Sequence, residues 1–297
     1  MNRRQTLRGV VAATLVCGIV AGCSAEAADQ PRAEAAGAKD RARWVMPLDP
    51  YRVDENLFHA EQVLIERCMQ GKGFDYHRPP VDVTATSETV TVGGRNLFDV
   101  EIAREWGYSG APSPHAEILQ AAEEASFSWP PEKNEQYSAC MDEARQEFPQ
   151  EGVLVNNTLA GFSLSPWNGA VMDPAVVAAA EKWAECMRPL GFSDLPASPN
   201  ELDGGTPTPM MAAAYGEVAD GRVSERSPEQ KAEEIRLATF DAECRESSGY
   251  AQALYDAEWE RQARVLEENK EAMMTLLEEK TAYEQRAREI LDGADAP

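Results

Sequence analysis

Histidine is scarce, with three residues in 297, and no two of the six cysteines are close enough to form a Cys-x2-Cys pair. That spacing excludes the usual structural zinc modules and the dithiol redox motif. The His-Glu-x-x-His zinc signature is missing. So are Gly-x-Ser-x-Gly, Ser-x-x-Lys and the phosphate-cradling Gly-x4-Gly-Lys-Ser/Thr loop. Basic residues are few: 28 stand against 51 acids, for a net charge of −23. Such a surface repels nucleic acid and anionic lipid headgroups. Nothing after residue 25 approaches the roughly 20 apolar residues that a membrane-spanning helix needs.

What is present begins at the N-terminus. Arg3, Arg4 and Arg8 precede the apolar run VVAATLVCGIVAGC, the positive flank and short apolar core of a signal peptide covering residues 1–22. Val20-Ala21-Gly22-Cys23 resembles the lipobox of bacterial lipoproteins. In that family the cysteine sulfur takes a diacylglycerol, the leader is cut before it, and the new N-terminus is acylated. The resemblance makes Cys23 the lipid-bearing residue; bulky Val16 argues against Cys17. Two or three acyl chains, at about 0.8 kcal/mol per buried methylene, make a stable anchor. NRRQTLR also resembles a twin-arginine export signal, with Thr6 where a bulky apolar residue is usual. The expected location is the extracytoplasmic face of the cell membrane.

Loss of residues 1–22 removes three of the 28 basic residues and no acid, so 25 bases face 51 acids, a net charge of −26. Residues 23–44 are rich in alanine and charge and read as a flexible tether. The remainder is long enough to bury a real core. Cys68, Cys140, Cys186 and Cys244 each fall on the apolar stripe of a candidate amphipathic helix, at spacings of three, four and seven. The expected fold is all-α, in two halves at residues 45–170 and 171–249.

A duplication organises those halves. RCMQGKGF at residues 67–74 and ECMRPLGF at 185–192 both end a helical run with Cys-Met-x3-Gly-Phe, and a second cysteine-bearing helix follows each. Gly73 and Gly191 fit the left-handed position that stops a helix, with the phenylalanine folding back. Four cysteines in an exported chain favour disulfides over metal-bound or reactive thiols, and they allow three pairings. The duplication selects Cys68–Cys140 and Cys186–Cys244, one staple in each half. This pattern, with ATFDAECRESSGY leading into a long charged helix, resembles uncharacterised lipoproteins and secreted proteins of actinobacteria. That group implies no particular activity.

Residues 81–94, VDVTATSETVTVGG, alternate apolar and polar about Ser87-Glu88 and predict a small inserted hairpin. Residues 196–221 read as a loop around a short helix, in which Met210 and Met211 either fill a gap or line a binding surface. Trp129 packs at a loop-to-helix entry. His59 and His115 sit in identical His-Ala-Glu triplets, yet within each triplet His and Glu diverge, so neither is a preformed metal pair. No metal or cofactor is expected.

Ser227-Pro228-Glu229-Gln230 has the form of a helix start, and residues 250–292 run without a single Gly or Pro, predicting one long helix before a short tail at 293–297. Packing along the stapled pairs is the expected fate of its apolar face. Projection of its distal half, beyond Leu266, toward a partner helix is the alternative. In function, the chain reads as a non-catalytic lipoprotein, held in the membrane through acylated Cys23 and acting by binding beside an envelope protein. The rival is a hydrolase of envelope polymers working through an acidic cleft between the halves.

Overall fold

The computed structural model describes residues 38–87, 89–91, 94–202, 208–216 and 227–294. Cys17, Cys23 and the Val20–Cys23 stretch that resembles a lipobox lie outside them. Among the described residues there are ten α-helices and no strand: α1 Ala60–Gly71, α2 Val100–Trp106, α3 Ala116–Ser126, α4 Pro131–Glu147, α5 Glu151–Val171, α6 Pro174–Met187, α7 Pro209–Ala214, α8 Pro228–Ser247, α9 Tyr250–Glu268 and α10 Lys270–Asp292. The chain is all-α, and no described helix is long and apolar enough to cross a membrane.

Helix ends follow local chemistry. Gly73 at φ +86° lets the Phe74 N–H turn back to the Met69 carbonyl, closing α1. Gly191 at φ +75° ends the 3-10 turn Arg188–Leu190 that follows α6, its N–H donating to the Arg188 carbonyl. Ser227 and Gln230 make a reciprocal capping box at the head of α8. Each stapled pair is a packed helix pair. Cys68–Cys140 joins α1 to α4, and Cys186–Cys244 joins α6 to α8, both with Cα atoms 5.6 Å apart.

The central strut is α5. After Glu151 it carries no charged side chain, and it runs antiparallel to α9 and α10. Two glycines permit the close approach. A Cβ on Gly152 would stand 2.6 Å from the Tyr283 ring, and one on Gly169 would stand 2.9 Å from Arg261 Nε. The largest core lies under α1, α4, α5 and α10, where Ile65, Met69, Leu159 and Met273 are all but inaccessible. A second, alanine-rich core joins α5, α6 and α9. A third gathers Trp183, Met187, Met211 and Cys244.

Three expectations change. The predicted hairpin at residues 81–94 does not form among the described residues. Asp82 instead accepts from the Thr84 N–H and hydroxyl in a local turn. Among the described residues the antiparallel contact nearby is the isolated bridge between Val90 and Asn96, beside Gly94 at φ +74°. The C-terminal helix breaks at Asn269, whose side chain donates to the Val265 carbonyl and pulls the backbone off the helical path. Its distal half does not project: Met273, Leu276, Tyr283 and Ala287 of α10 are buried against α5 and α1. Residues 38–43, assigned from sequence to the tether, also lie on the body. Lys39 pairs with Asp256 at 2.6 Å, Arg41 with Glu246 at 2.6 Å, and the Asp40 N–H donates to the Tyr255 hydroxyl.

Candidate functional site

The strap at residues 38–53 crosses α9 and, with the turn at 94–99, α5 and α9, encloses a cavity of about 720 Å3 that is partly open to solvent. That volume falls in the range of small-molecule sites. Trp44, Met46 and Leu48 come from the strap; Arg95, Leu97 and Phe98 from the turn; Leu159, Ser163, Leu164 and Trp167 from α5; Leu254, Glu258 and Gln262 from α9.

Glu258 anchors this wall. Only 2% of its side chain is exposed, and its carboxylate accepts from both Nη atoms of Arg95 at 2.7 and 2.9 Å, from Trp44 Nε1 at 3.1 Å and from Gln262 Nε2 at 3.1 Å. A buried carboxylate tolerates its site only when paired and hydrogen-bonded in this way. The Arg95 guanidinium lies over the faces of Trp167 and Trp44, 4.1 and 5.7 Å from the ring centroids. Trp44 holds φ +50°, a left-handed conformation uncommon outside glycine. Its indole bond to Glu258 and its edge-on contact with Tyr255 hold it there.

A second buried ion pair backs the cavity. Arg245 grips Asp241 through Nε and Nη2, both at 2.9 Å, and lies over the Phe98 ring. Asp241 also accepts from Trp183 Nε1 at 2.8 Å. Burial, and then the Asp241 charge, push the Tyr108 phenol up, so it stays protonated beside that carboxylate. The remaining acids on the wall are engaged as well. Asp99 caps α2 by accepting from the Ile102 N–H, Glu246 holds Arg41, and Asp49 accepts from the Met46 N–H. Burial raises the Asp49 carboxyl's pKa despite that bond and the nearby Arg52. No family model, no curated protein and no solved structure matches this chain.

The residues singled out from sequence lie elsewhere. The two disulfides staple helix pairs and do not line the cavity. Met211 is buried in the third core, while Met210 is 42% exposed and accepts from the Ser193 hydroxyl. Trp129 packs edge-on against Tyr76 and Tyr137. No spacing rule marks Trp44, Arg95, Trp167 and Glu258, because they meet from four distant segments.

The two His-Ala-Glu triplets do meet, though not within themselves. His59 and His115 each stand at the head of a helix, α1 and α3, with rings edge to face and centroids 6.1 Å apart. His115 is buried, and its Nε2 has no hydrogen-bond partner. Among the described residues no three His, Cys, Asp or Glu are grouped to hold a metal. Burial first, then His115, lower the pKa of His59 below its ordinary 6.5. The unfolded chain therefore takes up a proton near pH 6.5 that the folded chain resists. Stability from this group is complete above that pH and declines as pH falls below it. Substitution His59→Gln is expected to shrink the loss of urea midpoint between pH 7.5 and 5.5. An unchanged pH dependence would show that His59 does not contribute to it.

Proposed function

We propose that the protein is a lipid-anchored binding protein of the extracytoplasmic face, holding a small molecule in the cavity under its N-terminal strap as an accessory to an envelope protein. One observation carries this reading. The cavity is large and partly apolar, and the acids on its wall, Asp49, Asp99, Glu246 and Glu258, are each tied to a partner within the fold. Hydrolysis of an envelope polymer would need two carboxylates free to act on substrate and water. Binding needs only shape, apolar walls and a few placed polar groups.

The anchor rests on the Val-Ala-Gly-Cys sequence, and two disulfides fit an oxidising compartment. The strap follows in sequence on the segment that leads from Cys23, so the proposed anchor and the cavity wall are continuous in the chain. Native mass spectrometry of the protein released from membranes tests both parts. The expected spectrum lacks residues 1–22, carries acyl mass at Cys23, and shows a discrete small-molecule adduct. Substitution Ala160→Trp, on an exposed position of the cavity wall, should remove the adduct and leave the acyl mass. An unacylated protein would refute the anchor. Absence of an adduct, or its persistence in Ala160→Trp, would refute the binding site.

A further inference from the structure

Four arginines, Arg41, Arg52, Arg95 and Arg245, line this cavity in a chain in which acids outnumber bases 51 to 28. Three are answered inside the fold. Arg41 meets Glu246 at 2.6 Å, Arg95 is doubly bonded to Glu258, and Arg245 is doubly bonded to Asp241. Arg52 is different. Among the described residues its sole ion pair is with Glu55 at 4.0 Å, beyond hydrogen-bond length, and the Glu55 side chain is 67% exposed. Its own side chain is 17% exposed, and its Nε is buried with no acceptor.

The neighbouring acids do not fill that role. Asp49 is committed to the Met46 N–H; it acts on Arg52 through charge alone, with no hydrogen bond or ion pair between the two side chains. Asp99 is committed to the head of α2. A guanidinium that no carboxylate of the fold grips at hydrogen-bond distance, set in a concave surface, is a seat for a planar carboxylate, which matches its fork of donors. A single loosely held cation suits one negative charge; the acids that line the same cavity would repel a dianion. Leu97, Leu159, Leu164 and Trp167 line the same cavity and offer it apolar surface.

We propose that the cavity selects a small amphipathic carboxylate, its anionic end on Arg52 and its apolar body against Leu97, Leu159, Leu164 and Trp167. This rests on the reading of the cavity as a binding site. Calorimetric titration of the full chain in a non-ionic detergent tests it, with 4-phenylbutyrate and the uncharged 4-phenylbutan-1-ol as probes. The carboxylate should bind one to one and at least tenfold more tightly than the alcohol. Arg52→Gln should remove that preference and leave alcohol binding within about twofold, while Arg52→Lys should restore part of it. The variants' urea midpoints, compared with wild type, verify that both are folded. Equal binding of the two probes, or an unchanged preference in Arg52→Gln, would overturn the carboxylate seat and leave the cavity as a binding site. Failure of both probes to bind would overturn the binding reading together with it.

Discussion

Replacing Cys186 and Cys244 together by alanine should lower the stability of the protein by about 4 kcal/mol, as should replacing Cys68 and Cys140. The bridges close loops with sequence separations of 58 and 72 residues. The chain-entropy model gives about 4 kcal/mol for each, because loop length enters only as a logarithm. The two pairs should therefore be nearly equal in effect, despite their different surroundings. Cys140 and Cys244 are both fully buried, so losing their sulfur packing adds to the loss. Set against a typical total of about 5–15 kcal/mol, either change removes a large share of what holds the chain folded. In thermal melts the shift should be about 10 °C, given about 2–4 °C per kcal/mol for domains of this size. Urea titrations of each double variant, beside wild type with and without reductant, measure this directly. A loss under about 1 kcal/mol would mean that the unfolded chain is compact enough for the bridges to constrain little.

Those staples and the helices they join were legible in the sequence, because the features that announce them are local. Cys-Met-x3-Gly-Phe ends two helices with a glycine that must take positive φ, and Ser227 with Gln230 begins a third by direct hydrogen bonding. Each cysteine sits on its helix's buried stripe for the same reason that its apolar neighbours do. The central helix α5 gave no such sign. Its apolar residues lie all round, so no stripe emerges, and Gly152, Gly161, Gly169 and Pro166 imitate a loop. Two of those glycines are in fact contact points, against Tyr283 and Arg261, which only the packed structure reveals.

The strap failed to register for a related reason. Lys39, Asp40 and Arg41 look like tether until Asp256, Tyr255 and Glu246 are placed opposite them. The hairpin signal at residues 81–94 failed because the Asp82 turn captured its first arm, while residues 89–91 of the second arm pair with 95–97 instead. The cavity is wholly non-local. Trp44 and Arg95 reach Glu258 across 214 and 163 positions. Composition could count the tryptophans and arginines but not assemble them.

The same non-local node carries the other large effect. Arg95→Ala should cost about 3–5 kcal/mol, the usual result of removing one member of a buried ion pair and leaving the other charge behind. Glu258 is 2% exposed and would keep only the bonds from Trp44 Nε1 and Gln262 Nε2. Trp44 and Trp167 would lose the guanidinium lying over them, and the turn at residues 94–99 would lose its main tie to α9. Glu258→Gln should cost less, since the Arg95 side chain is 33% exposed and water can solvate it. The double variant Arg95→Ala with Glu258→Gln should be more stable than Arg95→Ala alone, because no buried charge is then left unanswered. Urea midpoints for the four proteins close the cycle and isolate the pair's coupling from the cost of each truncation. If the double variant is simply the sum of the singles, Glu258 does not depend on Arg95. The strap would then be held by Trp44 and the Arg41 and Lys39 ion pairs, and the turn would be a loose cover on the cavity. A coupling of about 2 kcal/mol or more would make Arg95 the clamp that keeps turn, strap and α9 together. Any ligand that enters would then meet a wall already ordered before it arrives.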